Sequence, residues 1–262
     1  MNPAAIHTTF QKLKAVDVER FEREDWHTDL ARVEQLLWRN KKPADDATIG
    51  LLDILDACGV KTCLRALGAA DAAGQRIARL IAADMALLAV IPLRETDIGR
   101  FCERSWNQIN RVLETGGAIE ASRDLAVSMK QLGDLRIHQY SQAAEYSALR
   151  AVGSIVFPYE GPPDDPKDLE AIGDLCALEV LDCVLCARPQ IDGRYVAAAR
   201  LADLGTAAEK RWQKGTNLKF KFCTEEISAA MCDLENALLD EFKPEILKQA
   251  AAIAARRLGR RP

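Results

Sequence analysis

A chain of 262 residues, 48% apolar and 28% charged, is long enough to bury one large core or two modest ones, and its composition lies far from that of a disordered protein. Its 35 basic and 39 acidic residues give a net charge of -4, which excludes a general attraction to nucleic acid or anionic membrane. The first ten residues hold no basic stretch followed by an apolar core, and Arg79 and Asp84 interrupt the apolar run 77–91, so the expectation is a cytoplasmic protein with no transmembrane helix.

Apolar residues recur at spacings of three and four through most of the chain, which predicts an all-α fold; strand-like alternation is confined to Lys219-Phe-Lys-Phe222. The first helix is expected from Asp29 to Asn40, with Leu30, Val33, Leu36 and Leu37 on one face and Thr28 as its N-cap. Asp45 and Asp46 lead into a second helix carrying Ile49, Leu52 and Leu55, which stops at Gly59 and is followed by a short one over Val60 to Leu67. From Asp71 a long helix presents the seam Ile77, Ile81, Asp84, Leu88 and Ile91 and ends at Pro92.

Thr96 caps the next helix, whose stripe of Ile98, Phe101, Cys102, Ile109 and Leu113 ends at Gly116-Gly117. Helices over Ala118 to Leu132 and Leu135 to Val152 follow. The segment 158–166 concentrates proline, glycine and aspartate and reads as a linker between an N-terminal helical region, 1–157, and a C-terminal one, 167–262, the two able to pack as one domain. Leu169 to Ala187 is apolar on nearly every side and is stopped by Pro189; helices over Gly193 to Lys214, Thr224 to Phe242 and Pro244 to Leu258 complete the chain. About nine or ten helices with short connections make an irregular multi-helix bundle, the alternative being helix pairs stacked in solenoid fashion, for which no fixed period recurs.

Eight cysteines in a reducing compartment are expected to remain thiols. Cys176, Cys183 and Cys186 can share one helical face, with Cys223 or Cys232 as a fourth ligand, and would then hold zinc or an iron-sulfur cluster in an enzyme or sensor. Their Leu and Val neighbours favour the simpler reading, thiols packed in a core. Asp84 sits in an apolar seam, where an unpaired charge costs several kcal/mol, so it needs a partner. An arginine or a helix N-terminus would make it a structural anchor; a pocket would make it a general base.

The three histidines, His7, His27 and His138, form no metal-binding pair, and no dinucleotide, phosphate-loop or nucleophile-elbow motif is present. Trp26 and Trp38, beside Arg39, are either an exposed anchor for a partner or ordinary core. Arg256, Arg257, Arg260 and Arg261 could touch phosphate, although a solvated end favouring the helix dipole is the simpler account.

The stretch Arg79-Leu-Ile-Ala-Ala-Asp-Met-Ala-Leu-Leu-Ala-Val-Ile-Pro92, with Trp106 to Leu113 and Gly116-Gly-Ala-Ile-Glu-Ala-Ser-Arg123, resembles the Ala-rich helical bacterial immunity proteins of polymorphic toxin systems. That resemblance covers under a quarter of the chain and implies a non-catalytic protein that binds another protein. The leading expectation is therefore a helical protein-binding module, an immunity or neutralising protein whose acidic balance suits a basic partner. The alternatives are the thiolate metal centre and an enzyme using Asp84.

Overall fold

The computed structural model describes residues 7–16, 23–37, 46–136, 143–158, 162–163, 165–191, 237 and 240–260. These residues form a bundle of about ten helices. Two three-residue strands, β1 (His7–Thr9) and β2 (Thr48–Gly50), pair antiparallel with Thr8 opposite Ile49. Sequence periodicity misses them because three residues are too few to show alternation. Thr9 caps α1 (Phe10–Lys14), and the Thr8 hydroxyl donates to the Ala69 carbonyl at 3.1 Å.

Helix α2 (Arg23–Leu37) begins six residues before Asp29, so Thr28 lies inside it and is not its cap. The apolar seam extends backwards through Trp26, which is four residues from Leu30 and wholly buried. Helix α3 (Leu51–Cys58) starts only after β2, and α4 (Val60–Gly68) follows a single residue, Gly59, at φ 88 and ψ 177. That backbone region is open essentially to glycine alone.

Helix α5 (Ala72–Val90) is capped by the Asp71 carboxylate and passes into a 3-10 turn, Ile91–Leu93. Helix α6 (Asp97–Thr115) begins at Thr96, whose hydroxyl accepts from the Gly99 N–H at 2.9 Å, and ends at the left-handed Gly116. A 3-10 turn over Ile119–Ser122 precedes α7 (Arg123–Arg136), which continues through Gly133. After α8 (Ala143–Ser154) and the 3-10 turn Pro166–Ala171, α9 (Gly173–Ile191) runs two residues beyond Pro189, the expected stop. The last helix, α10, spans 240–257 and passes through Pro244. The helix expected over 193–214, residues 224–236 of the one expected over Thr224 to Phe242, and the alternating 219–222 lie outside the described residues, while 240–242 belong to α10.

Helix α5 organises the bundle. Its bulky seam residues Ile77 and Leu88 are only partly buried, whereas Ala78, Ala82, Ala83, Ala86 and Ala89 are wholly buried. Alanine faces let neighbouring helices approach closely, and α9 packs extensively against α5. The polar residues of α5 then satisfy the ends of its neighbours, where backbone groups lack intrahelical partners. Gln75 Oε1 accepts from the Asp174 N–H at the start of α9, 3.0 Å. Arg76 donates to the Leu113 carbonyl at the end of α6, 2.8 Å. Arg79, 1% exposed, donates to the Ile155 and Val156 carbonyls just past α8, at 2.9 and 2.6 Å. The Ala83 carbonyl accepts from the Trp106 indole at 2.6 Å.

Candidate functional site

Asp84, the carboxylate in the α5 seam, is met by the tail. Arg257 on α10 donates from Nε to Oδ2 and from Nη2 to Oδ1, both at 2.8 Å, and its Nη1 reaches Glu114 of α6 at 2.9 Å. The hydrogen bond to Asp84 holds the guanidinium more firmly protonated than usual. Both carboxylate oxygens are engaged by a fixed cation, which is the geometry of an anchor joining α5, α6 and α10. Arg257 is thus a tertiary contact and not part of a solvated tail; Arg260 pairs with Asp56 at the surface, Arg256 is exposed, and Arg261 lies outside the described residues. Replacing Asp84 by Asn should lower the unfolding free energy by about 1–2 kcal/mol in a urea titration. An Asp84→Asn, Arg257→Ala cycle should return a coupling of about 1 kcal/mol; additive effects would contradict the anchor.

The three candidate metal-binding cysteines lie along α9, with Cys176 wholly buried, Cys183 buried and Cys186 exposed. Seven residues of helix separate Cys176 from Cys183 by about 10 Å, too far for one ion to bridge. Among the described residues no group of three His, Cys, Asp or Glu side chains could hold a metal ion. Cys176 and Cys183 therefore cannot ligate the same ion; Cys223 and Cys232 lie outside the described residues.

Burial pushes the Cys63, Cys102 and Cys183 thiols up to about 12 and Cys176 to about 11, from an ordinary 9.0. Because the folded values are raised, this stabilisation is complete below pH 9 and is lost as pH climbs toward 11 and 12, when only the unfolded chain releases these protons. Unfolding free energy should therefore fall by about 1 kcal/mol per thiol between pH 9 and 10 in urea titrations. A flat profile would mean that these sulfurs are solvated or already thiolate.

Beside Cys183, α9 carries a charged cluster that the sequence reading missed. Glu179 accepts from Arg150 at 2.9 Å and from the Ser154 hydroxyl at 3.2 Å, and lies 3.9 Å from Lys130 of α7. The Lys130 ammonium stands 4.8 Å from the centre of the Phe157 ring. Burial lowers its pKa, and Glu179 opposes that shift. Two cations from α7 and α8 thus converge on one carboxylate of α9 and tie three helices together.

A concavity of about 410 Å³ opens between α2, the α3–α4 corner and α10. Its charged wall comprises Asp29, Arg32, Lys61 and Arg65, and its apolar wall Val60, Leu247 and Ala251. The buried Asp29 accepts from Arg65 at 2.7 Å, which fixes α2 to α4. Arg32 is 3.9 Å from Asp29 with its side chain 59% exposed, and Lys61 reaches the exposed Asp182 at 3.3 Å. Gly59, the N-cap of α4, offers no side-chain acceptor to the first-turn N–H groups at the rim.

No family model, curated protein or solved structure matches this chain.

Of the remaining candidates, Trp26 is wholly buried and presents nothing to a partner, while Trp38, Arg39 and His138 lie outside the described residues. His7 and His27 are exposed and stand on separate elements. No helix among the described residues is long and apolar enough to cross a membrane.

Proposed function

We propose that this chain is a non-catalytic helical module that binds a protein partner on a preformed surface. The observation that supports it best is the cleft between α2, the α3–α4 corner and α10, whose walls are braced before any ligand arrives by the Asp29–Arg65 pair and by α10 locked through Arg257. Preformed concavities bind with little ordering cost, which is what a recognition module needs. The reactive side chains singled out by the sequence serve packing in this reading, with Asp84 an anchor and Cys176 and Cys183 protonated core thiols. Neutralisation of a toxic protein is the specific form suggested by the likeness of residues 79–92, 106–113 and 116–123 to immunity proteins.

Affinity capture from the native cell extract, at low and moderate salt, should recover one protein in stoichiometric amount. Under the neutralisation form, that protein should be toxic when expressed alone and harmless when co-expressed with this chain. Recovery of no stoichiometric protein would end the binding-module reading.

A further inference from the structure

We infer that the α2, α3–α4, α10 cleft takes a side-chain carboxylate of the protein partner, flanked by an apolar residue; the inference rests on the binding-module reading above. The concavity of about 410 Å³ falls within the roughly 300–1,000 Å³ typical of ligand sites. Among the described residues its lining carries three cations, Arg32, Lys61 and Arg65, against one acid, Asp29, with Asp182 standing 3.3 Å from Lys61, on a chain whose net charge is -4. The cleft is therefore locally richer in cations than in acids on an acidic chain, which suits it to an anionic group.

Asp29 is neutralised by the close contact from Arg65, so the positive excess resides on the other two cations. Arg32 has only a long approach to Asp29, and Lys61 pairs with an acid that is itself 63% exposed, where solvent weakens the interaction. A carboxylate entering the cleft can exchange these weak contacts for the planar fork of Arg32 and the ammonium of Lys61. The apolar side formed by Val60, Leu247 and Ala251 faces the same space, so the entering group is better served by a neighbouring aliphatic side chain than by a second charge. A bare phosphate would use the cations and leave this wall wet.

The test uses the full chain, labelled with nitrogen-15, and three probes: acetyl-Leu-Glu-Leu-amide, its Gln counterpart and glutarate. The Glu peptide is expected to shift the Val60, Lys61 and Thr62 amide signals. The Gln peptide, and the Arg32→Ala, Lys61→Ala double variant, should each weaken binding about tenfold or more. Absence of shifts, equal binding of the Gln peptide, or glutarate matching the Glu peptide would overturn the inference, the last by showing a small-molecule carboxylate site. The captured partner should lose affinity for the double variant by a similar factor. If it binds the wild type and the variant equally, the cleft assignment fails and the binding-module reading stands; if neither captures a partner, the reading itself fails.

Discussion

Replacing Gly173 by Ala is expected to lower the unfolding free energy by about 3 kcal/mol or more, enough to unfold much of the protein at moderate temperature. A Cβ at that position would lie 2.1 Å from the Gln75 carbonyl oxygen and 2.9 Å from its carbon, both backbone atoms of α5. No rotamer change relieves a clash with backbone. The helices must separate where α9 starts, breaking the 3.0 Å bond from the Asp174 N–H to Gln75 along with close packing over the buried alanines. Gly59→Ala is the contrast: nothing lies within 4 Å of its added methyl, and only the positive φ of 88 resists it. That change should cost about 1–2 kcal/mol. Paired urea titrations of the two variants decide the point; equal losses would show that the α5–α9 contact is looser than described.

The second large effect is expected from Glu179→Ala, at about 3–5 kcal/mol. The substitution removes the carboxylate shared by Arg150, Lys130 and Ser154 and leaves two cations beside each other in the groove between α7, α8 and α9. The pH dependence separates this from simple loss of packing. Burial already depresses the Lys130 pKa and Glu179 partly restores it, so without Glu179 the folded value falls further below the unfolded 10.5. A depressed lysine makes the folded state gain stability as pH rises toward the unfolded value, because the unfolded chain then holds the extra proton. The gap between wild type and variant should thus narrow between pH 7 and pH 10. A gap that stays constant would mean that Glu179 acts through shape alone.

Much of the secondary structure was legible in the sequence where a local rule governs it. Asp71, Thr96, Gly59 and Gly116 mark helix ends through chemistry that acts within a few residues, and the structure places caps at each of them. Thr28 failed as a signal because a capping residue type inside an amphipathic run has no local feature telling it from a true cap; the seam through Trp26 was the stronger cue. The seam of α5 was read from its large residues, and Ile81 is wholly buried as expected, but five alanines are wholly buried beside it, since apolar periodicity weights bulk while close helix approach depends on the lack of it.

Asp84 was legible as a carboxylate needing a partner. Arg257 was not legible as that partner, because it comes from 173 positions away in sequence and tail arginines ordinarily stay in water. Arg79 was read only as an interruption of an apolar run, since its acceptors, the carbonyls of residues 155 and 156, belong to another helix end. The Glu179 cluster and the Asp29–Arg65 cleft share that character. Each is assembled from charges that look like ordinary solvated helix faces until three elements meet.

The packing role of α9 requires that Cys176 and Cys183 belong to the core. Alkylation of the native, unchelated protein with iodoacetamide at pH 8, followed residue by residue by peptide mass mapping, tests this directly. Cys186 should react at the rate of an exposed thiol, while Cys176 and Cys183 should react about 100-fold more slowly or less, limited by opening of the bundle. Rapid modification of Cys176 and Cys183, or protection of all three that vanishes on adding a chelator, would contradict the packing role and return α9 to chemistry.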